Sequence, residues 1–203
     1  APPRVRHLLL ERDLEAAVLD NDVADIERIV ASVWADPGLP QSGRSKLARR
    51  LASARFWIGD LDGALVALSE AEAMLDEPVP TATVSAQRAL LLANNGRPRE
   101  ALELVGTVGD VADPRVQIDL SSAKSIACIS MGRFDEAIEI ARTGARLQTG
   151  LPPWQRRRGM ASHVVNEAHA LAYGGRFRAA REVVRSAIEG ARTAGARPAI
   201  VWF

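Results

Sequence analysis

The chain has 203 residues, of which 47% are apolar and 25% charged, and its net charge is +1. That length supports one sizeable core or a stack of several repeats. The near-neutral balance excludes a strongly electrostatic partner for the chain as a whole, and the apolar content excludes disorder.

Ten helices are expected, at 4–19, 22–34, 43–58, 61–75, 82–94, 98–107, 114–131, 134–148, 153–173 and 177–194. Apolar residues recur at helical spacing in the stripe Leu61, Ala64, Leu65, Leu68, Ala71 and Leu75. They recur again in Phe177, Ala180, Val183, Val184, Ala187, Ile188 and Ala191. Both stripes predict a buried helix face. Pro98 and Pro114 stand at helix starts, where a missing N–H costs nothing, and Asp113 is placed to cap the helix after it. Residues 36–43 and 76–81, rich in Pro, Gly, Asp and Ser, are expected loops between hairpins. Strand signals are absent: aromatics are 4% and no β-branched alternation persists.

Four segments repeat without gaps. They are Gly59-Asp-Leu-Asp-Gly-Ala64-Leu, Gly96-Arg-Pro-Arg-Glu-Ala101-Leu, Gly132-Arg-Phe-Asp-Glu-Ala137-Ile and Gly175-Arg-Phe-Arg-Ala-Ala180-Arg. Seven residues before each glycine stand Ala52, Ala89, Ser125 and Ala168; twelve after it stand Ala71, Val108, Gly144 and Ala187. Two antiparallel helices joined by a tight turn approach closely only where side chains are short. Glycine ends the first helix because it accepts a left-handed backbone at little cost.

This pattern of turn glycine and small residues resembles the tetratricopeptide repeat (TPR) over about residues 43–194. The resemblance implies an all-α fold, a TPR-like right-handed superhelix of about five antiparallel hairpins in one domain spanning 1–203. The TPR-like units are 43–75, 82–107, 114–148 and 153–194. The first hairpin, 4–34, departs from the pattern, with Asp22 in place of the turn glycine. The units are longer than the usual repeat. Their Gly-Arg-Phe-x-x-Ala phrasing resembles the sensor arrays of large bacterial LuxR-type transcriptional regulators. A bacterial source also fits the 24 arginines against two lysines, since arginine and the abundant alanine have GC-rich codons. Under that resemblance the chain is a ligand- or protein-binding sensor, and any DNA contact belongs to a domain outside this sequence. The alternative is a freestanding scaffold for protein assembly. The chain starts without Met and ends on Ala199-Ile-Val-Trp-Phe203, so a piece of a longer protein is expected.

In TPR-like stacks the first helix of each hairpin lines the concave face. The resemblance therefore assigns the groove to Arg49, Ser53, Phe56, Trp57, Asn94, Asp119, Ser122, His169 and Tyr173, with Lys46, Thr83, Ala86, Leu90, Ala93, Ile126, Ile129, Ser130, Ser162, Val165 and Ala172 at the same registers. Aromatics supply burial there and polar groups set orientation, which suits a peptide or a small-molecule effector. Phe56, Trp57 and Tyr173 have a second reading as packing between hairpins.

Residues 156–197 hold nine arginines and three glutamates, and Arg178, Arg181, Arg185 and Arg192 share one helix face. That face reads either as a solvated exterior or as a seat for an acidic partner. No catalytic motif, cofactor site or metal site is read. His163 and Glu167 stack at i, i+4 without a further ligand nearby. The single cysteine, Cys128, falls at an inward position and reads as a buried hydrophobe. With no internal disulfide possible and no membrane-spanning run of about 18 apolar residues, a cytoplasmic protein is expected. A terminal hairpin left uncovered makes a homodimer possible.

Overall fold

The structure is a computed structural model, and it describes residues 22–34, 38, 40–109, 111–151 and 160–193. Nine helices lie within them: α1 (Val23–Trp34), α2 (Gln41–Trp57), α3 (Leu61–Ala73), α4 (Pro78–Asn94), α5 (Pro98–Val108), α6 (Pro114–Ser130), α7 (Phe134–Thr149), α8 (Met160–Tyr173) and α9 (Phe177–Thr193). No strand occurs among the described residues. The expected helix 4–19 and residues 153–159 of the ninth lie outside them.

The pairs α2–α3, α4–α5, α6–α7 and α8–α9 form hairpins. Each first helix also packs on the first helices beside it and on the second helix of the preceding hairpin. One mechanism closes all four turns. Gly59, Gly96, Gly132 and Gly175 have φ of 85°, 73°, 74° and 76°. The following residue then donates its N–H back across the helix end: Asp60 to the Arg55 carbonyl (2.9 Å), Arg97 to Leu92 (3.0 Å), Arg133 to Cys128 (2.9 Å) and Arg176 to Leu171 (2.7 Å). This satisfies carbonyls that the end of a helix leaves without partners. A side chain at these glycines would be strained by φ alone.

The second helix leaves each turn against small residues. Ala52, Ala89 and Ser125 on the first helices are fully buried, as are Ala64, Ala101 and Ala137 on the second. Between α6 and α7 the Ser125 hydroxyl donates to the Ala137 carbonyl at 3.0 Å, a bond that only a close helix approach permits. Replacing Ala137 by Leu is expected to lower unfolding free energy by about 1–3 kcal/mol through overpacking. Urea titration followed by circular dichroism measures it.

Helix starts follow the expected chemistry. Asp113 accepts from the Arg115 N–H at 2.8 Å, and Asp60 accepts from the Gly63 N–H at 2.9 Å. Two helix starts lie two or more residues ahead of expectation. Helix α4 begins at Pro78 rather than 82, because Pro78 and Pro80 both lie in the first turn, where no N–H is needed. Helix α2 begins at Gln41 rather than 43. The Gln41 side-chain oxygen accepts from the Asp76 and Glu77 N–H groups at 2.9 and 3.0 Å, which ties that first residue to the loop before α4.

The stripe of α3 is buried as expected at Ala64, Leu68, Ala71 and Leu75. The stripe of α9 is not. Phe177 is 70% exposed and Val184, Ala187 and Ile188 are half-buried, while Ala180 is in the core with Val183 packed against it. Among the described residues the main packing partner of α9 is α8, and one helix is too narrow to cover the whole stripe.

Candidate functional site: the face of the first helices

The first helices α2, α4, α6 and α8 line one face of the stack. Along its middle, Leu90, Ile126, Ile129 and Val165 are half-buried, so each offers apolar surface to solvent. Between them Ala86 and Ala93 are fully covered. A bed of this kind exposes aliphatic area to solvent.

One end of the bed carries a charge pair. The Arg49 guanidinium donates to the Asp119 carboxylate at 2.8 Å, joining residues 70 apart. Helix α4 packs against both α2 and α6, so the pair bridges across it. Burial pushes the Asp119 carboxyl above its usual range, and the adjacent Arg49 charge pulls it back. The Arg49 Nε is buried with no hydrogen-bond partner.

The other end is aromatic. Tyr173 is 68% exposed and its ring lies 6.1 Å from that of the exposed His169, tilted by 46°. Position i and i+4 on α8 places the two rings on one face. Between the ends, Asn94 is exposed but folds its amide back onto the Leu90 carbonyl at 2.8 Å. Ser53 is half-buried. Phe56 packs against the cluster of Ala48, Ala52, Ala64 and Leu68, which favours its structural reading. Trp57 ends α2, and its side chain lies outside the described residues.

Ser122 departs from its assignment to the groove. It is 3% exposed, and Asn166 of α8 donates to its hydroxyl at 3.2 Å, so the α6–α8 contact closes it off from solvent. Sequence reasoning passed over Asn166. Its only signal was a polar residue three after His163, on the same inward face of α8.

His163 is a deeply buried ionisable group. It is 1% exposed and neither ring nitrogen has a hydrogen-bond partner. It sits against Gly144 of α7, where any Cβ would overlap the imidazole. Burial pushes its pKa down to about 4, and a backbone interaction with Ile118 opposes this. Glu167 is engaged elsewhere, accepting from the Arg142 Nε at 2.9 Å, so the i, i+4 pair is not a ligand pair. Cys128 is fully buried and burial pushes its thiol pKa up, the opposite of an activated nucleophile. Among the described residues no cluster of three or more His, Cys, Asp or Glu could hold a metal, and no helix is long and apolar enough to cross a membrane.

Stacked antiparallel hairpins with glycine turns and small-residue contacts define a TPR-like helical repeat protein. Similarity to known proteins agrees with that class. A family model described as tetratricopeptide repeat matches residues 21–113, from the atypical first hairpin through α5. Two solved structures of nearly identical TPR-like repeats from a Podosopora anserina putative kinesin light chain share the fold. One, a variant form, has a TM-score of 0.53 and 20% identity, covering 90% of this chain and 91% of its own. The other has a TM-score of 0.51 and 20% identity, with coverages of 96% and 95%. No curated protein matches the chain.

Proposed function

We propose that this chain is a non-catalytic interaction module whose first-helix face binds a peptide segment of another protein. One observation carries the reading: a half-exposed aliphatic bed across α4, α6 and α8, bounded by the Arg49–Asp119 pair at one end and His169–Tyr173 at the other. Aliphatic area supplies affinity, and the polar and aromatic ends set direction and register.

The test is a random-peptide phage selection against the chain, followed by titration of the selected peptide. Tyr173→Ala is expected to weaken binding about tenfold, as truncation of an exposed aromatic anchor does. Arg49→Ala is expected to shift peptide preference. Unchanged affinity in both variants removes this face from the account.

The finer reading is a sensor module of a LuxR-type bacterial regulator, and it is supported by the Gly-Arg-Phe phrasing at Gly132 and Gly175. DNA contact then lies in a separate domain. A nucleotide-binding loop encoded upstream or a helix-turn-helix downstream is the expected finding. A gene lacking both leaves the freestanding scaffold.

A further inference from the structure

The internal repeat shows how one hairpin of this chain receives the next. On α7, Phe134 lies against the following turn, where a Cβ built on Gly174 would stand 3.5 Å from the Phe134 Cβ. Beside it Asp135 pairs with Arg176 of that turn at 2.8 Å. Two turns further along, Arg142 is held twice, by Glu139 on its own helix at 3.4 Å and by Glu167 of α8 at 2.9 Å. Ile138 and Ala141 are buried in the same contact.

On α9 the aligned positions are Phe177, Arg178, Arg181, Val184 and Arg185. Phe177 is exposed and Val184 half-buried, so the apolar part of the seat is present and uncovered. One charge has changed sign and another has been added. Arg178 stands where Asp135 met a base, and Arg181 where Ile138 was buried. Arg185 keeps the own-helix half of its pairing, Glu182 at 3.0 Å, without a counterpart to Glu167 among the described residues. Arg178 and Arg181 are exposed and make no ion pair there. Residues 194–203 contain no Asp or Glu, so those ten residues offer these arginines no carboxylate side chain. A second copy presenting the same face would add arginines instead.

We infer that the outer face of α9 is a second docking surface, for an amphipathic helix of another protein whose apolar stripe is bordered by carboxylates. Its apolar residues would cover Phe177 and Val184, and its carboxylates would meet Arg178, Arg181 and Arg185. Such charge complementarity selects partners more than it adds raw affinity.

The experiment is fluorescence anisotropy with a labelled synthetic peptide of about five helical turns, leucine-striped and glutamate-bordered, against a twin with lysine for glutamate. The acidic peptide is expected to bind saturably and to weaken with salt. The Arg181→Glu/Arg185→Glu variant is expected to lose about tenfold for it and to gain affinity for the lysine twin. Tyr173→Ala and Arg49→Ala are expected to leave binding unchanged, which separates this surface from the first-helix face. Equal binding of both peptides, no binding of the acidic one, or indifference to the arginine reversal overturns the inference. So does concentration-dependent dimerisation that Phe177→Ser abolishes.

Discussion

Acidification from pH 7 to pH 4 is expected to remove about 3 kcal/mol of stability through His163 alone. The imidazole of α8 is buried against Gly144 of α7, so its charged form loses water and is favoured only by the weaker backbone interaction with Ile118. Its folded pKa is about 4, against roughly 6.5 in the unfolded chain. Between those values the unfolded state binds a proton that the folded state refuses. Stability therefore falls as pH drops below the unfolded value, and the loss is complete near the folded one. Urea titrations at pH 7 and pH 4, on the parent and on His163→Leu, isolate the effect from the carboxylates, which both proteins share. A pH response of equal size in the two proteins would falsify the assignment.

The contact beneath that histidine sets the second expectation. Glycine in a helix interior is ordinarily a weakness, and Gly→Ala there stabilises by about 1 kcal/mol. At position 144 the sign is expected to reverse. An added Cβ would overlap the imidazole of His163, a group with no solvent to move into. Gly144→Ala should therefore destabilise by about 1–3 kcal/mol, the range for overpacking a filled core. In a His163→Ala background the obstruction is gone and the same substitution should stabilise. A double-mutant cycle by urea unfolding reads this change of sign directly. Additive effects would show that the helices separate freely there.

Both expectations sit on a register that the sequence displays. Gly144 is one of the twelve-after positions, aligned with Ala71 and Ala187, so its smallness is legible as a condition for close helix approach. That the space it leaves is filled by an imidazole was not legible. His163 lies 19 residues away on the next hairpin, across the residues that link α7 to α8.

The candidate site divides the same way. Membership of the first-helix face followed from counting back from the turn glycines, and it placed Arg49, Asn94, Asp119, His169 and Tyr173 where they have solvent-accessible surface. Pairing did not follow from counting. Arg49 meets Asp119 two hairpins away, across α4, and Ser122 is lost to Asn166 because α8 closes on α6.

By itself, then, the sequence determined the repeat: its turns, its small-residue contacts and the helix count of each unit. Those are local properties, set by backbone preference at glycine and proline and by side-chain volume within one hairpin. Only the tertiary structure decided which polar groups neutralise one another and which apolar stripe stays uncovered. Those outcomes depend on how one hairpin seats on the next. The α3 and α9 stripes look alike in sequence, yet one is buried by a following hairpin and the other faces outward among the described residues. Burial is a property of the neighbour as much as of the helix.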